Sequence, residues 1–188
     1  MKIVSKNQII IFSVTLLVIF ILSGCASLSA SKTTSIKNNS KILIMPPHDV
    51  VQRGVAHAAG KGTGKQLQKA VQRELKRVSD YDIEIFDAND KFNYTNAVDR
   101  QEAIFEAKNM GVDYCLILTL GEFRNAAPMT FRTDFVTLED GILIDVNTEK
   151  EVWSLDKPFK LDSGTNLGDH YGLIDDIAKA VAESISQR

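Results

Sequence analysis

The chain has 188 residues, with 22 Lys and Arg against 24 Asp and Glu and a formal net charge of −2 at pH 7. This slightly acidic balance argues against a general nucleic-acid binder, which needs an excess of basic residues to neutralise phosphates. Two cysteines exclude the disulfide framework of a small secreted scaffold. The length suits one domain with a sizeable hydrophobic core.

The first 25 residues have the pattern of an export signal. Lys2 and Lys6 precede an apolar run of 14 residues, 9 to 22, which is shorter than the roughly 20 residues that a membrane-spanning helix needs. The run is long enough for the apolar region of a signal peptide. It ends in Leu22-Ser23-Gly24-Cys25, which resembles a bacterial lipobox. An uncleaved membrane helix, or an ordinary secretory signal with a chance cysteine, are the alternatives.

The lipobox resemblance implies that a signal peptidase cuts between Gly24 and Cys25 and that Cys25 carries two or three acyl chains. Two chains suffice for stable membrane anchoring. Removal of the 24 signal residues, two of them lysines, would leave 164 residues with a formal charge of −4. Ala26 and Ser27 follow the cysteine, where an Asp would resemble an inner-membrane retention signal, so we expect the outer membrane, with the protein facing the periplasm.

Residues 25–40 are predicted to be the lipidated cysteine and a flexible tether, because Ser, Thr, Lys and Asn dominate them. A single domain is predicted for residues 41–188. It opens with a buried strand, Lys41–Met45, which Pro46 and Pro47 end. A glycine-containing loop to Gly62 follows, and a helix starts at Thr63 or Gly64.

That first helix places Leu67, Ala70, Val71, Leu75 and Val78 on one face and basic residues on the other. Next come a strand at 82–86, a helix at about 97–110 that Gly111 ends, and a long apolar strand at 112–123. Residues 130–146 have an extended pattern that Asp140-Gly141 interrupts as a bulge or bend would. A hairpin leads into residues 152–155, and a helix at about 169–187 is last.

The predicted order is therefore β-α-β-α-β-β-β-α. Crossover helices between the early strands imply parallel pairing, and the later hairpins imply antiparallel pairing. The simplest architecture is an α/β (α+β) domain with a single mixed five-stranded sheet and helices packed on it.

Three segments of this pattern look like successive signatures of periplasmic α/β lipoprotein domains: residues 41–45, 111–118 and 144–153. The pattern is similar to the amino-terminal domain of TolB, to the penicillin-binding-protein activator LpoB and to the soluble part of the curli secretion lipoprotein CsgG. It most resembles small Gram-negative envelope lipoproteins whose domain has no assigned function. The resemblance covers about residues 41–186. It implies architecture more than activity, and it supplies no catalytic residue.

The sequence contains few candidate residues for catalysis, nucleotide binding or metal binding. Cys115 lies in an apolar strand and is predicted to be a buried core residue. Residues 60–65 place glycines before a basic helix, but Ala59 and Gln66 break the P-loop pattern, so a loop and helix cap are favoured over a nucleotide site. His48, His57 and His170 lack the spacing of metal ligands. We therefore expect no catalytic residue, no metal and no cofactor.

Two exposed features favour docking. Lys61, Lys65 and Lys69 form a basic corner that would suit an anionic partner, and Phe123, Met129 and Phe131 surround an Ala-Ala-Pro turn. Loops held by a rigid sheet often bind partners. The alternative for both is that neighbouring elements cover them.

The sequence thus predicts a non-enzymatic, outer-membrane-anchored periplasmic lipoprotein. Its partner would be another envelope component, with a role in envelope or cell-wall assembly, and neither nucleic acid nor a small-molecule substrate is expected. One alternative is a subunit of a CsgG-like secretion complex, although membrane strands of about 9 to 11 residues are scarce here. Another is a hydrolase whose site assembles only in three dimensions.

Overall fold

Seven strands in one mixed sheet and three helices make up the described part of the chain, which in this computed structural model is residues 28–49, 62–124, 135–162 and 170–187. The strands are β1 (Ala30–Lys32), β2 (Lys41–Ile44), β3 (Asp82–Ile85), β4 (Tyr114–Arg124), β5 (Phe135–Asp145), β6 (Glu151–Leu155) and β7 (Phe159–Asp162). The helices are α1 (Thr63–Val78), α2 (Arg100–Asn109) and α3 (His170–Ser186).

The sheet has the strand order β1-β6-β5-β4-β2-β3, and β7 pairs with β5 beside β6. Strand β2 is parallel to both β3 and β4, whereas β5 is antiparallel to β4, β6 and β7. The predicted division into parallel early strands and antiparallel later strands is confirmed. The helices at 63–78, 100–109 and 170–186 also confirm the three predicted helices.

The predicted strand number of five is wrong. The two additional strands are β1 and β7, so the element order is β-β-α-β-α-β-β-β-β-α. Strand β7 lengthens the sheet beside the first half of β5, where Phe159 lies opposite Leu138 and Asp162 opposite Phe135.

The tether predicted for residues 25–40 is wrong where the structure pairs the chain with the sheet, which begins with the hydrogen bonds of Ser29 to Asp156. Strand β1 pairs antiparallel with β6, with Ala30 opposite Leu155 and Lys32 opposite Trp153. Ile36 is also buried in the core, at 6% exposure. The polar composition of this segment does not predict these contacts. A strand at the edge of a sheet can be held by its backbone hydrogen bonds and a few inward side chains, so it needs no apolar pattern. Residues 25–27 lie outside the described part.

The two faces of the sheet bury two hydrophobic clusters. Helices α1 and α3 pack side by side on one face over the larger cluster, which includes Leu67, Leu116, Trp153 and Ile177. Helix α2 covers the smaller cluster on the other face, where Ala103 and Ile104 meet Leu43 and Cys115. The arrangement is α/β/α, with two helices on one side and one on the other.

The ladder between β4 and β5 contains the predicted irregularity. Thr119 pairs with Asp140, but the next partner of β4, Leu120, pairs with Leu138. Glu139 is therefore the extra residue of a bulge, directly before Asp140-Gly141, and the expectation of a bulge or bend there is confirmed.

Candidate binding surface at the start of helix α1

The buried side-chain amide of Gln68 joins the carboxyl ends of the parallel strands β2 and β3. The side chain of Gln68 on α1 is fully buried. Its Nε2 donates to the carbonyl oxygens of Ile44, at 2.8 Å, and Phe86, at 3.1 Å, and its Oε1 accepts from the Tyr94 hydroxyl at 2.8 Å. Burial, followed by the charges of Asp87 and Asp49, raises the pKa of Tyr94. This network fixes α1 against the strand ends.

Asp49 occupies the amino terminus of α1. Its Oδ2 accepts from the backbone N–H of Gly62 at 2.6 Å, and its Oδ1 accepts from that of Gly64 at 2.8 Å. These amides are the free donors that would otherwise attract an anion to a helix terminus. An incoming phosphate would have to displace this carboxylate and overcome its charge. The loop-and-cap interpretation of residues 60–65 therefore has a physical basis for residues 62–65.

The basic face of α1 divides into two parts. Arg73 forms ion pairs with Glu74 and with Asp175 of α3, both at 3.1 Å, and Arg77 pairs with Glu74 at 2.7 Å. The hydrogen bond to Asp175 is the main cause that raises the pKa of Arg73. In the described residues no ion pair is found for Lys65 or Lys69, and both are exposed. Two lysines without a described ion pair therefore lie on the first half of α1, and a third, Lys76, lies in its last turn.

The structure places the predicted docking residues in different settings. Lys65 and Lys69 lie one helical turn apart on the surface of α1. Phe123 is only 2% exposed and belongs to the larger core cluster, so its side chain does not contribute to the surface. Lys61, Met129 and Phe131, like Gly24 and Cys25, lie outside the described residues.

The side chains considered for chemistry do not converge where the structure describes them. Among those residues no group of three His, Cys, Asp or Glu could hold a metal ion. Nδ1 of His48 is buried and has no hydrogen-bond partner, and His57 falls outside the described part. Cys115 is fully buried, as predicted, and burial raises its pKa to about 12, which leaves the thiol protonated and a poor nucleophile at neutral pH.

Sequence reasoning missed Asp49, Gln68 and Tyr94. Asp49 acts on amides 13 and 15 residues further along the chain, and nothing in the spacing signals that contact. The sequence contains a weak indication that Gln68 is buried. It lies between Leu67 and Ala70 in a helix whose apolar face it extends, so it is a polar residue at the border of a buried stripe.

No family model matches the chain, and no curated protein matches it either. Solved structures do. PelC from Paraburkholderia phytofirmans, solved as a dodecamer, superposes with a TM-score of 0.59 at 14% identity, over 86% of this chain and 96% of PelC. The chain is similar in fold to PelC. A second PelC structure from the same organism gives a TM-score of 0.58 over 87% of this chain.

Two further solved structures give lower TM-scores. The lipoprotein GNA1162 of Neisseria meningitidis gives a TM-score of 0.46 at 19% identity over 77% of this chain and 99% of its own. TolB from Acinetobacter baumannii gives 0.42 at 15% identity, over 86% of this chain and 31% of TolB.

Within residues 28–49, 62–124, 135–162 and 170–187, no helix has both the length and the apolar character that crossing a membrane requires.

Proposed function

We propose that this protein is a lipid-anchored component of the bacterial outer membrane, facing the periplasm, that binds another envelope component and catalyses no reaction. The observation that carries the proposal is the lipobox-like segment Leu22–Cys25, which only three residues separate from Ser29 and the strand of the sheet that follows it. A lipid on Cys25 would hold a folded domain directly against the membrane. The similarity to PelC supports the fold only.

Binding is favoured over catalysis by the surface of α1. Lys65 and Lys69 present two positive charges one turn apart, whereas Arg73 further along the helix is paired with Asp175 of α3. Asp49 already fills the adjacent helix terminus, so the surface suits a partner that approaches the lysine ammonium groups from the side. An acidic protein surface is the partner that matches this charge.

The experiment that tests binding is crosslinking in intact cells followed by purification of the tagged, full-length protein. The double variant Lys65→Glu with Lys69→Glu reverses the charge of the surface. Glutamate and lysine have nearly equal helix propensities, and at position 65, in the first turn, the helix dipole favours glutamate, so a loss of partner would not reflect a weakened helix. We expect the crosslinked partner of the wild type to disappear in this variant.

The matched control carries the same change at two exposed lysines elsewhere, Lys150→Glu directly before β6 with Lys179→Glu on α3. It should retain the partner. Equal loss in both variants would indicate a nonspecific charge effect, and a partner profile that is the same for wild type and Cys25→Ser would contradict an envelope role that depends on the anchor.

A second candidate is a subunit of a ring-like secretion complex of the CsgG kind. One observation favours it: the structure with the highest fold similarity reported above was solved as a dodecamer. The mass of the full-length protein in detergent distinguishes the two candidates. A uniform particle of about twelve copies would favour the complex, whereas a monomer or dimer would favour the binding protein.

A further inference from the structure

Strand β1 limits the distance between the folded domain and Cys25. Ser29 is already fixed to the sheet, because its carbonyl oxygen accepts from the backbone N–H of Asp156 at 3.0 Å and its hydroxyl donates to Asp156 Oδ2 at 2.9 Å. Ser31 also donates to the carboxylate of Asp156. Only four Cα steps separate Cys25 from Ser29, and four extended residues span at most about 14 Å.

The direction of β1 determines which end of the sheet receives the linker. Because β1 is antiparallel to β6, its first residue lies at the end where β6 finishes, with Ala30 opposite Leu155. Strands β2, β4 and β7 finish at this same end, because β4 and β6 both pair antiparallel with β5 and β2 is parallel to β4. We call this end of the sheet the anchor edge. The turn at Asn147 lies at the opposite end.

The strands do not all end at the same height at the anchor edge. Leu155 and Ala30 lie in line with Gly141 of β5 and Leu118 of β4, by the pairing of Ile142 with Ser154 and of Leu118 with Gly141. Strand β4 continues for six more residues, to Arg124, and β5 and β7 accompany it. Six residues of strand cover about 20 Å. From Ala30 the linker to Cys25 has five Cα steps, which span at most about 18 Å. The three-stranded ribbon therefore projects at least as far beyond Ala30 as the fully extended linker can reach.

We propose that the projecting ribbon, residues 118–124 with 135–141 and 159–162, contacts the lipid headgroups and holds the anchor edge toward the membrane. The proposal rests on the lipidation of Cys25 that the proposed function contains. With Cys25 at the headgroups and Ser29 no more than about 14 Å away, the end of the ribbon meets the lipid surface before the linker is fully extended. Lys160 lies exposed on β7, with its ammonium 3.8 Å from the ring centroid of Phe135. The ribbon carries four carboxylates, Glu122, Glu139, Asp140 and Asp162, against the two cations Arg124 and Lys160, so the proposal rests on the length of the linker and not on charge attraction to the lipid.

The test uses full-length protein reconstituted in vesicles of phosphatidylethanolamine and phosphatidylglycerol that contain a lipid with a nitroxide quencher on its headgroup. A fluorescent label is attached to Lys160→Cys, or to Glu139→Cys as a second ribbon position, and to Asn147→Cys at the opposite end. Ten residues of β5 and its turn separate Thr137, opposite Lys160, from Asn147, which is about 30 Å. Cys115 is buried and stays unlabelled.

We expect several-fold stronger quenching at both ribbon positions than at Asn147. Equal quenching at the two ends, or stronger quenching at Asn147, would overturn the proposal. Insertion of ten Gly and Ser residues after Ser27 should weaken the quenching at Lys160, because the longer linker releases the domain. Unchanged quenching in that variant would contradict the argument from linker length.

The same samples separate this proposal from the proposed function. Mass spectrometry of the amino-terminal peptide and flotation with the vesicles report the lipid on Cys25, with Cys25→Ser as the unanchored control. A protein without acyl chains would contradict both proposals. A protein that is acylated and floats, but shows equal quenching at both ends, would overturn only the orientation.

Discussion

Gly64 lies against the backbone of Pro47. A Cβ atom on Gly64 would be 2.0 Å from the carbonyl oxygen of Pro47 and 3.0 Å from Asp49 Oδ1. No side chain fits in this space unless the backbone moves. The close approach brings the Gly64 amide to Asp49 and so fixes the start of α1.

The variant Gly64→Ala is therefore expected to lower the free energy of unfolding by about 2–3 kcal/mol, because the methyl group forces β2 and α1 apart. Urea denaturation, followed through the fluorescence of Trp153, measures the loss, since this is the only Trp of the chain. The control is Gly62→Ala. Gly62 has a φ of 86° and open space around its Cα, so only backbone strain of about 1 kcal/mol applies. Equal losses would contradict the steric argument.

The amide of Gln68 and the hydroxyl of Tyr94 should be energetically coupled. Gln68→Met leaves buried carbonyl groups and the Tyr94 hydroxyl short of a partner, and we expect a loss of about 2–3 kcal/mol. Tyr94→Phe should cost about 1 kcal/mol. In the double variant the hydroxyl is already absent, so the combined loss should be smaller than the sum. Denaturation of the four proteins measures this coupling, and strictly additive losses would show that the 2.8 Å hydrogen bond contributes nothing.

The carboxylate of Glu74 should make stability depend on pH in the acid range. The hydrogen bond from Arg77, with help from Arg73, lowers the pKa of Glu74 in the fold. A lowered folded pKa stabilises the fold above the unfolded value of about 4.5, and this contribution is lost as pH falls through the folded pKa. Because solvent screens the pair, we expect at most about 1 kcal/mol.

The measurement compares the urea midpoints of wild type and Glu74→Gln between about pH 7 and pH 3. The wild type should be the more stable at pH 7, and the gap should close toward pH 3. A gap that is constant over this range would mean that the charge of Glu74 is not what stabilises the pair.

The thiol of Cys115 should resist alkylation in the native protein. Burial raises its pKa to about 12, so almost no thiolate exists at pH 8 and the sulfur is also inaccessible. Rapid reaction is expected only in denaturant, whereas the engineered surface thiol of Asn147→Cys should react at once. Because the folded pKa exceeds the ordinary value of 9.0, ionisation favours the unfolded chain, and stability should fall as pH rises above about 9. Fast native labelling at pH 8 would place Cys115 outside the core.

Hydrophobic periodicity sufficed to predict the helices and five of the seven strands, because each of these buries an apolar face. It could not locate β1, whose residues Ala30–Lys32 are mostly polar and are held by backbone pairing and by Asp156. Strand β7 was detectable in principle: Phe159 and Leu161 alternate with Lys160 and Asp162, which is the period of a half-buried strand. Lys157-Pro158 before it and Ser163-Gly164 after it are typical of turns, which favours assigning the segment to the connection before the last helix.

The candidate surface was predictable only in part. The exposure of Lys65 and Lys69 follows from the helical period of the buried residues Leu67, Ala70 and Val71. The role of Asp49 does not, because a contact across a long loop depends on how β2 and α1 pack. The burial of Phe123 followed from its position in an apolar strand, yet an adjacent turn and further aromatic residues indicated a docking surface.

The pairing of β1 with β6 has a mechanical consequence. If Cys25 carries the proposed lipid, a pull between the bilayer and a bound partner would reach the domain through Ser29 and run lengthwise along β1, so the ladder between β1 and β6 would be loaded in shear. Three residue pairs would then resist together and fail together. Because β1 lies at the border of the sheet, its detachment would leave the rest of the core intact. The detached segment would lengthen the linker, and the domain could then move away from the bilayer without unfolding.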